Sequence, residues 1–392
     1  MSSPSGGRPS HGTVLAFLAF GNFIVGMGAF VVIGIVTPMS EGLRVAPASA
    51  GLVLTAYAFA YAILSPLAAA FTGALSRRLV LSLGLGLFCL GSVISALSPN
   101  LVALCASRII VALGGAMFTP IAAGVAVAVS APERRGKALA TVFGGLTLAQ
   151  VIGTPFGAWI AYRFGWEGAF WAVAALAALG ALVMAFAVPR NVSFQPTGIG
   201  AILRMLGNVR VMFATAFTAT FVAALYLVFM FLGPLIETSV GLDPETRTGF
   251  LVLYGCGAVI GNAAGGVLTD KIGGRNTLKI ICAANIVLMP FFSLIPLGWL
   301  PFAALVALWS SFSWSFMAPQ QARLVQVAPD AISLVLALNA AMIYVGITIG
   351  SALSAQVLGA FGLASLGIAG AFGAILALAH LLASARPKRP TH

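Results

Sequence analysis

The chain has 392 residues, of which 60% are hydrophobic and only 7% charged, so a soluble globule, with roughly 25% charged residues, is excluded. The formal net charge of +12 does not point to nucleic acid, because the basic residues are scattered between apolar runs instead of forming a stripe or arm. Cys89, Cys105, Cys256 and Cys282 lie in apolar segments without metal-ligand spacing, and His11, His380 and His392 are solitary, so neither a metal nor a cofactor is expected.

Apolar runs and loop punctuation predict twelve helices, each long enough for a hydrocarbon core of about 30 Å. The first, 14–36, is too long for the apolar part of a signal peptide and is followed by many more spans. It carries Asn22. The second, 49–71, carries Tyr57 and Tyr61, and the third covers 79–97. The fourth, 102–129, contains Arg108, and the fifth, 138–161, contains Gln150, Gly153, Pro155 and Gly157. The sixth is 169–188. The seventh, 211–236, holds Tyr226; the eighth, 248–269, holds Tyr254 and Asn262; the ninth is 277–297. The tenth, 301–321, contains Trp314, the eleventh, 332–358, contains Asn339 and Tyr344, and the last is 363–385. Pattern alone thus implies an all-α integral membrane protein.

Charges sorted by alternate loops test the count. One side collects 16 of the 20 basic residues, the other only Arg44, Arg163 and Arg247, and Arg108 lies within a span. Positive charge accumulates on the cytoplasmic side, so both termini are expected in the cytoplasm. The longest polar interruption, Pro189 to Arg210, divides an amino-terminal six-helix bundle, 1–189, from a carboxy-terminal one, 211–392, with 190–210 as a cytoplasmic linker.

An internal repeat supports that division. Gly73-Ala-Leu-Ser-Arg77-Arg78 recurs 193 residues later as Gly266-Val-Leu-Thr-Asp270-Lys271, and the same offset relates Gly153 and Gly157 to Gly346 and Gly350. Repeated bundles around a central site near the bilayer midplane are a common plan of secondary transporters.

With those residues stand Leu104-Cys-Ala-Ser107-Arg108 with Gly114-Gly115, the loop Pro132-Glu133-Arg134-Arg135-Gly136-Lys137, the run Gly144-Gly145 to Gly157, and Asn339 to Gly350. Together and in this order the chain resembles the major facilitator superfamily, in particular its twelve-helix drug and sugar efflux branch, which includes arabinose-efflux-like permeases. Ser76 stands where that family usually has aspartate. The resemblance implies export of a small molecule by alternating access, proton antiport, and a place in the bacterial inner membrane. It also implies gating roles for Gly73, Arg77, Arg78, Gly266, Asp270 and Arg275, and for Gly153, Pro155 and Gly157 in a helix that packs against the other half.

Independently, Gly153 and Gly157 share one helix face and permit close backbone approach, while Pro155 bends the helix. Arg108 inside a span costs at least about 2.5 kcal/mol, which implies polar partners in a central cavity or a snorkel to the interface. The eight acids all map to loops or span ends. A proton carrier must be reachable from each side in turn, which leaves Glu41 and Asp270 as the candidates. Asn22, Tyr57, Tyr61, Arg108, Gln150, Tyr226, Tyr254, Asn262, Trp314, Asn339 and Tyr344 are the candidate cavity residues, in a mainly apolar site suited to a neutral or amphipathic molecule. An intramembrane enzyme would need a titratable cluster that the spans lack. The expectation is a monomeric exporter of a drug-like compound, sugar or nucleoside, with protons as possible co-substrate, against a facilitator, an uptake carrier or a sensor on the same fold.

Overall fold

A computed structural model of the chain describes residues 11–72, 75–131, 134–189, 199–240 and 244–384. Among them twelve helices are long and apolar enough to cross a membrane. They are α1 (His11–Leu43), α2 (Pro47–Ala68), α3 (Arg77–Ala96), α4 (Leu101–Ala128), α5 (Lys137–Phe164), α6 (Trp166–Ala187), α7 (Val209–Val240), α8 (Thr248–Ile272), α9 (Gly274–Ser293), α10 (Trp299–Val327), α11 (Leu334–Phe361) and α12 (Ser365–Ala383). All-helical structure is what lipid demands, since each backbone polar group finds its partner within its own segment. A short helix, Ile199–Leu206, lies in the connection before α7.

Three of these helices are interrupted about four residues before a proline. Pro155 follows a π-helical turn at Ala149–Gly153 in α5. In α7 the helix stops at Phe229 and resumes at Leu232, with Pro234 in the second piece. In α10 it stops at Trp314 and resumes at Met317, ahead of Pro319. Proline lacks an N–H and its ring crowds the carbonyl four residues earlier, so residues 151, 230 and 315 are where each ladder has to open. The resumed pieces carry α7 to Val240 and α10 to Val327, beyond the predicted ends at 236 and 321. Glu237 and Arg323 are therefore helix residues, where the sequence reading had placed them at a span end and in a loop.

Within the first six helices α3 packs on α4 and α6, α2 on α4, and α1 on α5 and α6. Within the last six, α7 packs on α11 and α12, α8 on α10, and α9 on α10 and α12. The closest of these contacts is α8 on α10. Gly257, Gly261 and Gly265 form a stripe facing Ala307 and Ser310, Ser311, and Ser315, so tightly that a Cβ on Gly261 would sit 2.6 Å from the Ser311 carbonyl carbon. Such small-residue stripes let two backbones touch and maximise dispersion contact where water supplies no hydrophobic drive. The two groups of six meet through α2 with α11, α5 with α8, and α1 with α7. The sequence repeat maps α2 onto α8 and α5 onto α11, so the first two contacts are pseudo-symmetric counterparts.

Candidate functional site: an aromatic seam between the two groups of helices

Five of the six tyrosines of the chain fall into two ring clusters, one spanning the two groups and one within the last six helices. Tyr61 of α2 stacks on Tyr344 of α11 with ring centroids 3.7 Å apart. Tyr57, one turn away on α2, lies 6.0 Å from Tyr61 and 6.3 Å from Tyr344. On the other side, Tyr226 contacts Phe229 at 5.3 Å, Phe229 stacks on Tyr254 at 4.5 Å, and Tyr254 lies 5.7 Å from Trp309. The Trp314 indole N–H donates to the Tyr254 hydroxyl at 2.5 Å. The Tyr226 hydroxyl is buried without a hydrogen-bond partner. The first cluster, the seam, joins α2 to α11 across the two groups, and the second joins α7, α8 and α10 within the last six helices, both with large apolar faces tipped by hydroxyls.

Arg108 lies beside this seam, fully buried. Its Nη2 donates to the Gly28 carbonyl of α1 at 2.5 Å. The rings of Tyr57 and Phe170 flank its guanidinium carbon at 5.1 and 5.5 Å. Nε and Nη1 have no partner. The snorkelling alternative is therefore excluded: the side chain points into protein, held by one carbonyl and two π faces.

At the end of the bundle that carries the α1–α2 and α11–α12 connections, the two groups are tied by hydrogen bonds. Glu237 of α7 accepts from the Tyr162 hydroxyl of α5 at 2.5 Å and from Thr37 Oγ1 of α1 at 3.0 Å. Thr55 Oγ1 of α2 and Ser351 Oγ of α11 lie 2.8 Å apart. Sequence reasoning missed Glu237 because the apolar run ends beside it. Its signal was the sixth tyrosine, Tyr162, which has the same reach at the corresponding end of α5.

Asn22 and Asn339, expected to face the cavity, are instead buried inside their own groups. Asn22 of α1 donates to the Val142 carbonyl of α5 and accepts from Thr119 of α4, at 3.0 and 2.9 Å. Asn339 of α11 accepts from Thr218 of α7 at 2.5 Å, and Gln320 of α10 donates to Thr218 at 3.0 Å. Each is a clasp of three helices, α1–α4–α5 in one group and α7–α10–α11 in the other, which correspond in the repeat. Asn22→Leu should lower the thermal unfolding midpoint, reflecting about 1–3 kcal/mol for the orphaned partners. Ligand affinity should not change in the same protein, whereas a cavity role would reverse that pattern.

Arg108 is not the only buried arginine within a helix, although the second lies near a helix end. Arg323 of α10 is buried and donates to Gln320 Oε1 at 3.1 Å and to Ser384 Oγ. Arg275 donates to the Ser384 and Leu382 carbonyls, both at 3.0 Å. The two arginines cap the C-terminal end of α12, where carbonyls are unsatisfied and the dipole is negative. Arg77 donates to the Thr72 carbonyl at 3.2 Å and is buried, while Arg78 is half-buried. Gly73 lies outside the described residues. Asp270, Glu41 and Asn262 are exposed, Gln150 is buried, and Trp314 and Gly266 are half-buried. Gly153 and Gly157 lie against Met27 and Val31 of α1, in their own group. The neighbour from the other group is Gly255 of α8, against Val151 and the Gln150 carbonyl in the π turn just before Pro155. The glycine face thus packs inward, and the extra backbone residue of the π turn meets α8.

A twelve-helix bundle of two related groups meeting at an aromatic seam defines a polytopic membrane carrier. The sequence profile of the Major Facilitator Superfamily matches residues 18–332, and the chain belongs to that family of transporters. It is 27% identical over 374 residues to an uncharacterized MFS-type transporter, YbcL of Bacillus subtilis, covering 95% of this chain and 96% of the relative. It is 29% identical over 381 residues to the inner membrane transport protein YdhP of Escherichia coli K12, covering 96% and 97%. Its fold is similar to that of a bacterial homolog of the human lysosomal transporter Spinster in an inward-facing, unoccupied conformation. The TM-score there is 0.75 at 20% identity, over 97% of this chain and 96% of that one. The nucleoside transporter NupG is similar too, with a TM-score of 0.75 at 15% identity, over 96% and 100%.

Proposed function

We propose that the protein is a secondary active exporter of a small molecule in a bacterial inner membrane. Residues 1–189 and 211–392 act as two bodies that rock about the tyrosine seam to expose a central site to each side in turn. The observation that carries this reading is one-sided closure. The Glu237 bonds and the Thr55–Ser351 contact all lie at one end, and α5 meets α8 chiefly through its Ala149–Phe164 part, toward that same end. The distribution of positive charge supports placing that end outside and both termini in the cytoplasm. In this reading an exporter loads from the opposite, cytoplasmic end while these contacts hold.

Proton coupling needs a carboxylate whose surroundings change during the cycle. Glu41 and Asp270 are exposed at opposite ends of the bundle. Glu237 bridges both bodies when the outer end is shut, so it takes the coupling role in this reading. An uncoupled facilitator is the second reading, favoured because none of the described carboxylates lies at the level of the stacked tyrosines.

Production in a bacterium stripped of its efflux pumps should lower steady-state accumulation of at least one compound from a toxic panel; raised accumulation would make the protein an uptake carrier, and no change in vesicles as well as cells would leave a sensor. In proteoliposomes carrying an internal pH dye, transport by the wild type should acidify or alkalinise the lumen. Glu237→Gln, which weakens charge-assisted bonds worth about 1.5–3 kcal/mol, should abolish that proton signal. A silent pH trace during confirmed transport by the wild type establishes the facilitator.

A further inference from the structure

The charge of the cargo can be read from what Arg108 lacks. Its guanidinium is fully buried, bonded through Nη2 to a single carbonyl, with Nε and Nη1 unbonded. A buried cation is stable only when a counter-charge and acceptors surround it. Here the protein supplies one acceptor, the Gly28 carbonyl, and no described counter-charge. Among acids whose side chains are described, Glu41 and Asp270 are exposed, Glu167 stands in the first turn of α6, and Glu237 is held by Thr37 and Tyr162. The groups around Arg108 are instead the rings of Tyr57 and Phe170, and Tyr57 in turn leads to the stacked Tyr61–Tyr344 pair. Arg108 is thus an incompletely satisfied cation beside a run of flat aromatic faces that ends on a ring pair shared by both bodies.

We propose that the cargo is an organic anion with a planar aromatic part. Its carboxylate, or a group of like charge, accepts from the free nitrogens of Arg108 once the Tyr57 ring moves aside. Its ring lies on Tyr61 and Tyr344, whose stack it enters. Binding then supplies the missing counter-charge and places the cargo on the one stacked ring pair that spans the two bodies. The neutral or amphipathic cargo expected from the apolar cavity gives way to a charged one, because a neutral oxygen can accept from Nε and Nη1 but brings no counter-charge. This inference deepens the transporter reading and rests on it.

The test is equilibrium binding to the purified full chain in detergent, followed as thermal stabilisation, with two isosteric trios as probes: benzoate, benzamide and benzylammonium, and 1-naphthoate, 1-naphthamide and 1-naphthylmethylammonium. The acids should bind the wild type at least about tenfold more tightly than their amides and amines, with the naphthalene acid tighter than the benzene acid. Arg108→Gln should reduce acid affinity to that of the amide, and Arg108→Lys should retain part of the preference. The proposal is overturned by amide or amine binding as tight as acid binding, by acid affinity unchanged in Arg108→Gln, or by no stabilisation from either acid. The comparison of acid with amide on the wild type stands even where a variant is lost to misfolding. Because binding in detergent does not sense direction, acid-selective binding without export would sink only the exporter reading. Export of a neutral or cationic compound without acid selectivity would sink only this one.

Discussion

Gly261→Leu is expected to all but eliminate folded protein from the membrane. A side chain at that position must enter the space of the Ser311 backbone, whose Cα would lie 2.8 Å from the new Cβ. Overpacking costs about 1–3 kcal/mol where neighbouring side chains can give way. A backbone cannot give way without α8 leaving α10, and with it the contacts of Gly257 and Gly265. Each 1.4 kcal/mol lost lowers the folded-to-unfolded ratio about tenfold. Gly266→Leu, one residue beyond the stripe where nothing lies within 4 Å of a Cβ, should leave the yield unchanged. Size-exclusion recovery of the two variants after detergent extraction checks both; equal recovery would remove the stripe from the stability of the fold.

That contrast also marks how far the sequence could be read. The twelve apolar runs were legible because a helix in lipid has to be apolar along its whole length, and such a run has no competing explanation. Their ends were less so. Arg323 follows Pro319-Gln320-Gln321, a polar string that reads as a loop, and only the fold shows that those side chains satisfy one another inside α10. Glu237 stands at the end of α7, where the sequence puts it, and only the fold shows its bonds across to α1 and α5.

Which face a residue occupies was harder still. A span surrounded by protein on one side and lipid on the other is apolar all round, so its pattern does not reveal which way a polar side chain points. Asn22 and Asn339 read as cavity residues and are clasps within a bundle, whereas Tyr61 and Tyr344 carry no sequence mark that separates them from interfacial tyrosines. Gly153 and Gly157 showed their small face plainly, but their neighbour proved to be α1, and the contact with α8 passes through the π turn ahead of Pro155. The family's loop motifs at Gly73 and at Pro132-Glu133 lie outside the described residues, and their gating role stays a reading of resemblance.

Rocking of the two bodies requires the contacts at the Glu237 end to form a gate that opens in every cycle, and a reversible lock at Thr55 and Ser351 tests that most directly. Their side-chain oxygens lie 2.8 Å apart across the two bodies, a small adjustment from the roughly 2 Å of a disulfide. In a background with Cys89, Cys105, Cys256 and Cys282 replaced, Thr55→Cys with Ser351→Cys should oxidise readily and hold α2 against α11. Transport by the oxidised protein in proteoliposomes should fall to background and return on addition of reductant, with each single cysteine variant unaffected. Full turnover by protein shown to be cross-linked would contradict the rocking of two bodies about the tyrosine seam.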